Sequence, residues 1–87
     1  MQSITLVVRH EVGLHARPAA LFVQAASAHQ SEITVSKDGK SGNAKSILAI
    51  LALAVQKDNE ITITANGPDE QPALDALRAL VENNFGE

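Results

Sequence analysis

The sequence contains no cysteine, tryptophan or tyrosine. Without thiols it can form no disulfide, no thiolate nucleophile and no cysteine-ligated zinc site. A small domain without disulfides fits a reducing compartment. Aromatic residues make up 2% of the chain and are Phe22 and Phe85 alone, so the core must be aliphatic. Positive charge is not in excess: seven Lys and Arg against ten Asp and Glu leave a net −3. Nucleic-acid binders carry a basic excess and aromatic platforms, and the chain has neither. One local basic spot, Arg17 with Lys45, is the exception. Long hydrophobic runs are missing too. The longest, residues 47–55, falls far short of the roughly 18–20 residues of a membrane span. Residues 1–3 (M-Q-S) lack the basic patch and apolar run of a signal peptide. Together these absences predict a soluble, cytoplasmic protein that contacts neither nucleic acid nor membrane.

What is present is enough for one domain spanning residues 1–87. The chain is 45% hydrophobic and 20% charged, ordinary for a globular protein. At this size about 60–65% of the unfolded chain's surface can be buried, so the core is small but feasible.

Residues 4–8 (I-T-L-V-V) are rich in β-branched side chains and predict a strand. A polar loop ending in Gly13 follows. A helix begins near Ala16, where Pro18 is tolerated because first-turn N–H groups have no intrahelical partner. Ala19, Phe22, Val23 and Ala26 give it one apolar face. Residues 32–36 alternate, with Ile33 and Val35 inward. Asp38-Gly39 supplies the positive φ angles of a type I′ hairpin turn, so a short strand at residues 40–42 pairs back. Ser46 is a favoured N-cap for a helix over residues 47–53. Residues 60–65 alternate again, with Ile61, Ile63 and Ala65 on one face. Asp69 is the expected N-cap of a last helix whose stripe is Leu74, Leu77 and Val81. The tail, residues 84–87, is expected to fray. The order β-α-β-β-α-β-α predicts an α+β domain with helices packed on one face of a mainly antiparallel sheet.

His15 leads the residues that could carry chemistry. The neutral imidazole is a nitrogen nucleophile near neutral pH. A helix N-terminus favours an anion, and Arg17 adds a planar cationic fork suited to phosphate oxygens. These features suit a histidine that accepts a phosphoryl group. Spacing alone also admits a surface histidine beside a solvated arginine. Ser46 is a cap first, and a phosphorylation site as the alternative. His10 and His15 do not make a metal pair, because no third ligand is placed and His29 lies at the far end of the helix. Ile47, Leu48 and Leu51 cannot all be buried on a short helix. They either complete the core or form an exposed contact patch.

The stretch G-L-H-A-R-P-A at residues 13–19 resembles the active-site signature of the HPr family. These are the histidine-containing phosphocarriers of the bacterial phosphoenolpyruvate-dependent sugar phosphotransferase system. N-A-K-S-I-L-A-I-L at residues 43–51 is similar to the family's second motif, and G-P-D-E-Q-P-A at residues 67–73 to the opening of its last helix. The resemblance implies an open-faced β-sandwich, a four-stranded antiparallel sheet of order 1-4-2-3 covered by three helices. It implies that His15 takes a phosphoryl group on Nδ1 from phospho-enzyme I and passes it to the IIA domains of sugar permeases. Arg17 and the backbone N–H groups of Ala16 and Arg17 would bind the phosphoryl oxygens. Ser46 would be a regulatory phosphorylation site, and Ile47, Leu48 and Leu51 the docking patch. An HPr kinase and a transcriptional regulator join the implied partners. A monomer fits a carrier that must dock on two partners in turn, and no metal or other cofactor is expected. The alternative is an HPr-like regulatory or paralogous module of a fructose, dihydroxyacetone or nitrogen branch, acting through protein contacts. Two positions depart from the family: Val12, where many members carry Asn, and Ala16, where some carry a hydroxyl residue.

Overall fold

The β-branched runs and apolar stripes form the elements their periods predict. In the computed structural model, which describes residues 1–86, the chain runs through β1 (Gln2–Val7), α1 (Ala16–Ser27), β2 (Glu32–Lys37) and β3 (Lys40–Asn43). It continues through α2 (Ile47–Ala52), β4 (Glu60–Asn66), α3 (Glu70–Glu82) and a short 3-10 turn (Asn84–Gly86). The four strands make one antiparallel sheet in the order β1-β4-β2-β3.

Alternation along the central strands decides which face is covered. Ile33 and Val35 of β2 and Ile61, Ile63 and Ala65 of β4 are buried beneath the helices. Ala19, Phe22 and Ala26 of α1 and Ala73, Leu74, Leu77 and Val81 of α3 meet them in one core. The opposite face is polar, with the hydroxyls of Ser3 and Thr64 paired across strands at 3.0 Å and those of Thr5 and Thr62 at 3.2 Å. This is the open-faced α+β sandwich that the resemblance implied.

Local rules account for most junctions. Asp38 and Gly39 both have positive φ, 51° and 82°, as a type I′ turn requires. Gly42 lets β3 approach α2, since a Cβ there would lie 3.1 Å from that of Ala49. The Ser46 hydroxyl accepts from the Ala49 N–H at 3.3 Å and caps α2. Lys37 Nζ closes the other end by donating to the carbonyls of Leu53 (3.3 Å) and Ala54 (3.0 Å).

Two expectations need correction. Asp69 stands at the N-cap of α3 but makes no capping bond. Its carboxylate reaches across the molecule to accept from the backbone N–H groups of Gln30 and Ser31, each at 2.9 Å, and from the Ser31 hydroxyl. Three donors on another segment outcompete the local N–H groups, and they hold the carboxyl down to about 2, the Ser31 hydroxyl contributing most. The tail is not frayed over Asn84–Gly86. Phe85 is 3% exposed and sits in the core, because burying an aromatic ring outweighs the cost of ordering a terminal turn. The expectation for Glu87 lies outside the described residues.

Candidate functional site

The segment leading to His15 is held by a series of backbone bonds. The Val8 N–H donates to the Asn59 carbonyl at 2.9 Å, and the Val8 carbonyl accepts from Asp58 at 2.6 Å. The His10 carbonyl accepts from Gly13 at 2.9 Å, which closes a turn over Glu11 and Val12. Gly13 then passes so close to the α2–β4 connection that a Cβ would stand 2.1 Å from the Val55 carbonyl oxygen, and its φ is +67°. No side chain fits there. The Leu14 N–H donates to that same Val55 carbonyl at 3.0 Å, while the Leu14 side chain is fully buried.

This clamp delivers His15 to the N-cap of α1 in an extended conformation, φ −133° and ψ 164°. Its carbonyl accepts from Ala19 at 3.4 Å, so the helix starts here. Its imidazole is half-buried and makes no capping hydrogen bond. The ring is therefore not committed to the helix's own bonding. Ala16 follows with φ 50°, a left-handed conformation that costs an L-residue about 1–2 kcal/mol. Arg17 is exposed in the same first turn, and Pro18, which has no N–H, is buried beneath it. The N–H groups of Ala16 and Arg17 lie in the helix turn that has no intrahelical acceptors. With the helix dipole and the guanidinium they favour an anion beside His15.

The second motif lies on the neighbouring helix. α2 packs against α1 on the same side of the sheet, and the chain leaving α2 supplies the Val55 carbonyl that pins the His15 loop. Ser46 is half-exposed at the mouth of α2. Within that helix Ile50 turns into the core and Leu51 packs partly against it. Ile47 is 39% exposed and Leu48 is 77% exposed. The apolar triad thus divides, with Ile47 and Leu48 open and Leu51 half-covered. Val12, which carries no polar side chain for the loop, is 49% exposed.

Lys45 and the other two histidines do other work. Lys45 does not extend the Arg17 spot as a free charge: its Nζ donates to the His29 carbonyl at 2.7 Å, beyond the far end of α1. His29 Nδ1 pairs with the Ala25 carbonyl at 2.9 Å. His10 is buried. Among the described residues no three His, Cys, Asp or Glu side chains gather to hold a metal. Sequence reasoning missed the positive φ of Ala16 and the seating of His10. Neither leaves a local signal, since an alanine carries no mark of its φ angle and a single buried histidine has no periodic partner.

The family described as "PTS HPr component phosphorylation site" matches residues 2–83. The HPr-like protein Crh of Bacillus subtilis is 52% identical over 75 residues, covering 86% of this chain and 88% of that protein. A crystal structure of HPr from Thermoanaerobacter tengcongensis superposes with a TM-score of 0.99 at 49% identity, covering 100% of this chain and 98% of the other. A crystal structure of Bacillus subtilis Crh, described as a dimer with a swapped domain, has a TM-score of 0.76 at 49% identity and 91% coverage of both chains.

Proposed function

The chain belongs to the HPr family of bacterial phosphotransferase-system phosphocarriers, and from that membership we propose that His15 accepts a phosphoryl group from phospho-enzyme I and hands it to IIA domains of sugar permeases. The observation that carries this reading is the placement of His15. It is an N-cap whose imidazole does no capping, with Arg17 in the same turn and a left-handed residue between them.

In the transfer, the Nδ1 lone pair attacks phosphorus in line as the donor's bond to phosphorus breaks. The resulting P–N bond breaks in turn when the next acceptor attacks. Little covalent chemistry falls to this protein, so its contribution is positioning and charge. The Arg17 guanidinium and the N–H groups of Ala16 and Arg17 hold the phosphoryl oxygens. Ile47 and Leu48, with Leu51 beneath them, form a small apolar docking surface suited to transient partners. Phosphorylation of Ser46 by a kinase would place a dianion beside that surface and oppose docking of an acidic partner. The carrier works in the cytoplasm, where its donors and acceptors meet.

A monomer is the working state we propose, since one site must meet two partners in turn. The swapped dimer of the Bacillus subtilis relative is the competing state. Likeness to the HPr-like protein Crh also favours a second reading, a regulatory module acting through Ser46 and the α2 surface.

One assay separates the readings. Incubation with phosphoenolpyruvate and enzyme I, followed by intact mass, is expected to add one acid-labile phosphoryl group that His15→Ala abolishes. An acid-stable adduct, or labelling unchanged in the variant, sinks the carrier reading. In a parallel arm, ATP and an HPr kinase are expected to add an acid-stable group lost in Ser46→Ala. No adduct in that arm reduces Ser46 to a cap.

A further inference from the structure

His10 is a buried polar side chain, 8% exposed, that the phosphotransfer reading does not use. A buried polar group takes hydrogen-bond partners, and where they lie shows what it organises. His10 has two partners within the loop that presents His15. Its carbonyl accepts from Gly13 at 2.9 Å, and its Nδ1 accepts from the Val12 N–H at 3.2 Å. The second bond, from a side chain to the N–H two residues on, is the Asx-turn arrangement ordinarily made by Asn or Asp. Accepting there requires an unprotonated Nδ1, which places the ring proton on Nε2.

The ring is held from the other side of the molecule. It meets Phe85 edge to face, with centroids 5.8 Å apart and planes at 79°. Phe85 is itself buried in the closing 3-10 turn. Phe85 therefore seats the ring that braces the 10–13 turn from within, and that turn leads through Gly13 and Leu14 directly to the N-cap. Val12 has no side-chain polar atom with which to organise the turn itself.

We infer that His10 is a positioning residue for His15: its Nδ1 locks the 10–13 turn as an Asx-type acceptor, and Phe85 holds the ring in place. The inference rests on the carrier reading for its effect on rate, but the lock is a property of the unphosphorylated protein.

Three variants divide the acceptor from the packing. His10→Asn keeps an acceptor at the same reach and loses the ring. His10→Leu fills space against Phe85 and has no acceptor. His10→Ala has neither. Amide hydrogen exchange of the unmodified protein is expected to keep Val12 protected in His10→Asn and release it in the other two. The His15 ring nitrogen shifts in NMR are expected to stay near wild type only in His10→Asn. With phosphoenolpyruvate and enzyme I, the rate of His15 phosphorylation is expected to fall about tenfold in His10→Leu and stay within about threefold in His10→Asn, since small misplacements of a reacting group are costly. A purely structural role predicts the reverse ranking, with rate following melting temperature and His10→Leu the better variant. Equal rates, or equal Val12 exchange, in His10→Asn and His10→Leu overturn the inference. A wild-type protein that takes no phosphoryl group refutes the carrier reading instead, and the exchange and NMR arms still decide the lock.

Discussion

Replacing Ala16 by glycine tests the strain beside His15. Ala16 has φ 50°. An L-residue there costs about 1–2 kcal/mol, while glycine adopts the conformation freely. Against this, glycine loses about 0.5–1 kcal/mol more backbone entropy on folding. The Ala16 side chain is exposed, so its removal forfeits little packing. The net expectation for Ala16→Gly is a gain of about 0.5–1 kcal/mol. With a urea m-value of about 1 kcal/mol/M for a domain this small, the unfolding midpoint should rise by about 0.5–1 M at constant m. Ala16→Val should move the other way and further, because a β-branched residue tolerates positive φ least. Phosphorylation of His15 should be no slower in Ala16→Gly, since glycine takes up the same φ without strain. A midpoint that drops in Ala16→Gly would refute the reasoning at its root, for it would mean that the residue is not strained.

Gly13→Ala should be destabilised by on the order of 2–3 kcal/mol, from the clash with the Val55 carbonyl at 2.1 Å and the φ of +67°. A thermal melt that superposes on wild type would show the two segments are not in contact. Asp69→Asn should flatten the acid limb of stability. The wild-type carboxyl is depressed to about 2, so its contribution is complete above the unfolded value near 4 and is lost as pH falls through about 2. Melting curves taken from pH 5 down to pH 2 should show wild type losing stability faster than the variant, and parallel curves would contradict the assignment.

The parts legible in the sequence were those fixed by neighbours in the chain. Alternation at residues 32–36 and 60–65 placed the core face of the sheet, Asp38-Gly39 placed the hairpin, and Ser46 marked the start of α2. The sequence points to a candidate site at His15 and Arg17 because the signature and the helix start coincide. The failures share one cause. Asp69 ignores its own helix in favour of Ser31, and Phe85 abandons a frayed end for the core. Both choices are made by residues distant in sequence, which no local propensity reports. His10 and Phe85 belong to opposite ends of the chain, so their contact exists only after the fold does.

The strand order has a consequence for how the molecule is made. β1 precedes the other strands in the chain, and among the described residues it neighbours only β4 in the sheet, with paired hydroxyls 61 residues apart in Ser3 and Thr64. Until β4 leaves the ribosome, β1 has no strand to bond and stays unpaired, while the β2–β3 hairpin between them can already close. Because loop closure precedes its reward, such distant pairing is expected to make the joining of β1 to β4 slower than the closing of the hairpin. The loop that carries His15 hangs from the end of β1, so the candidate site is expected to form after the hairpin.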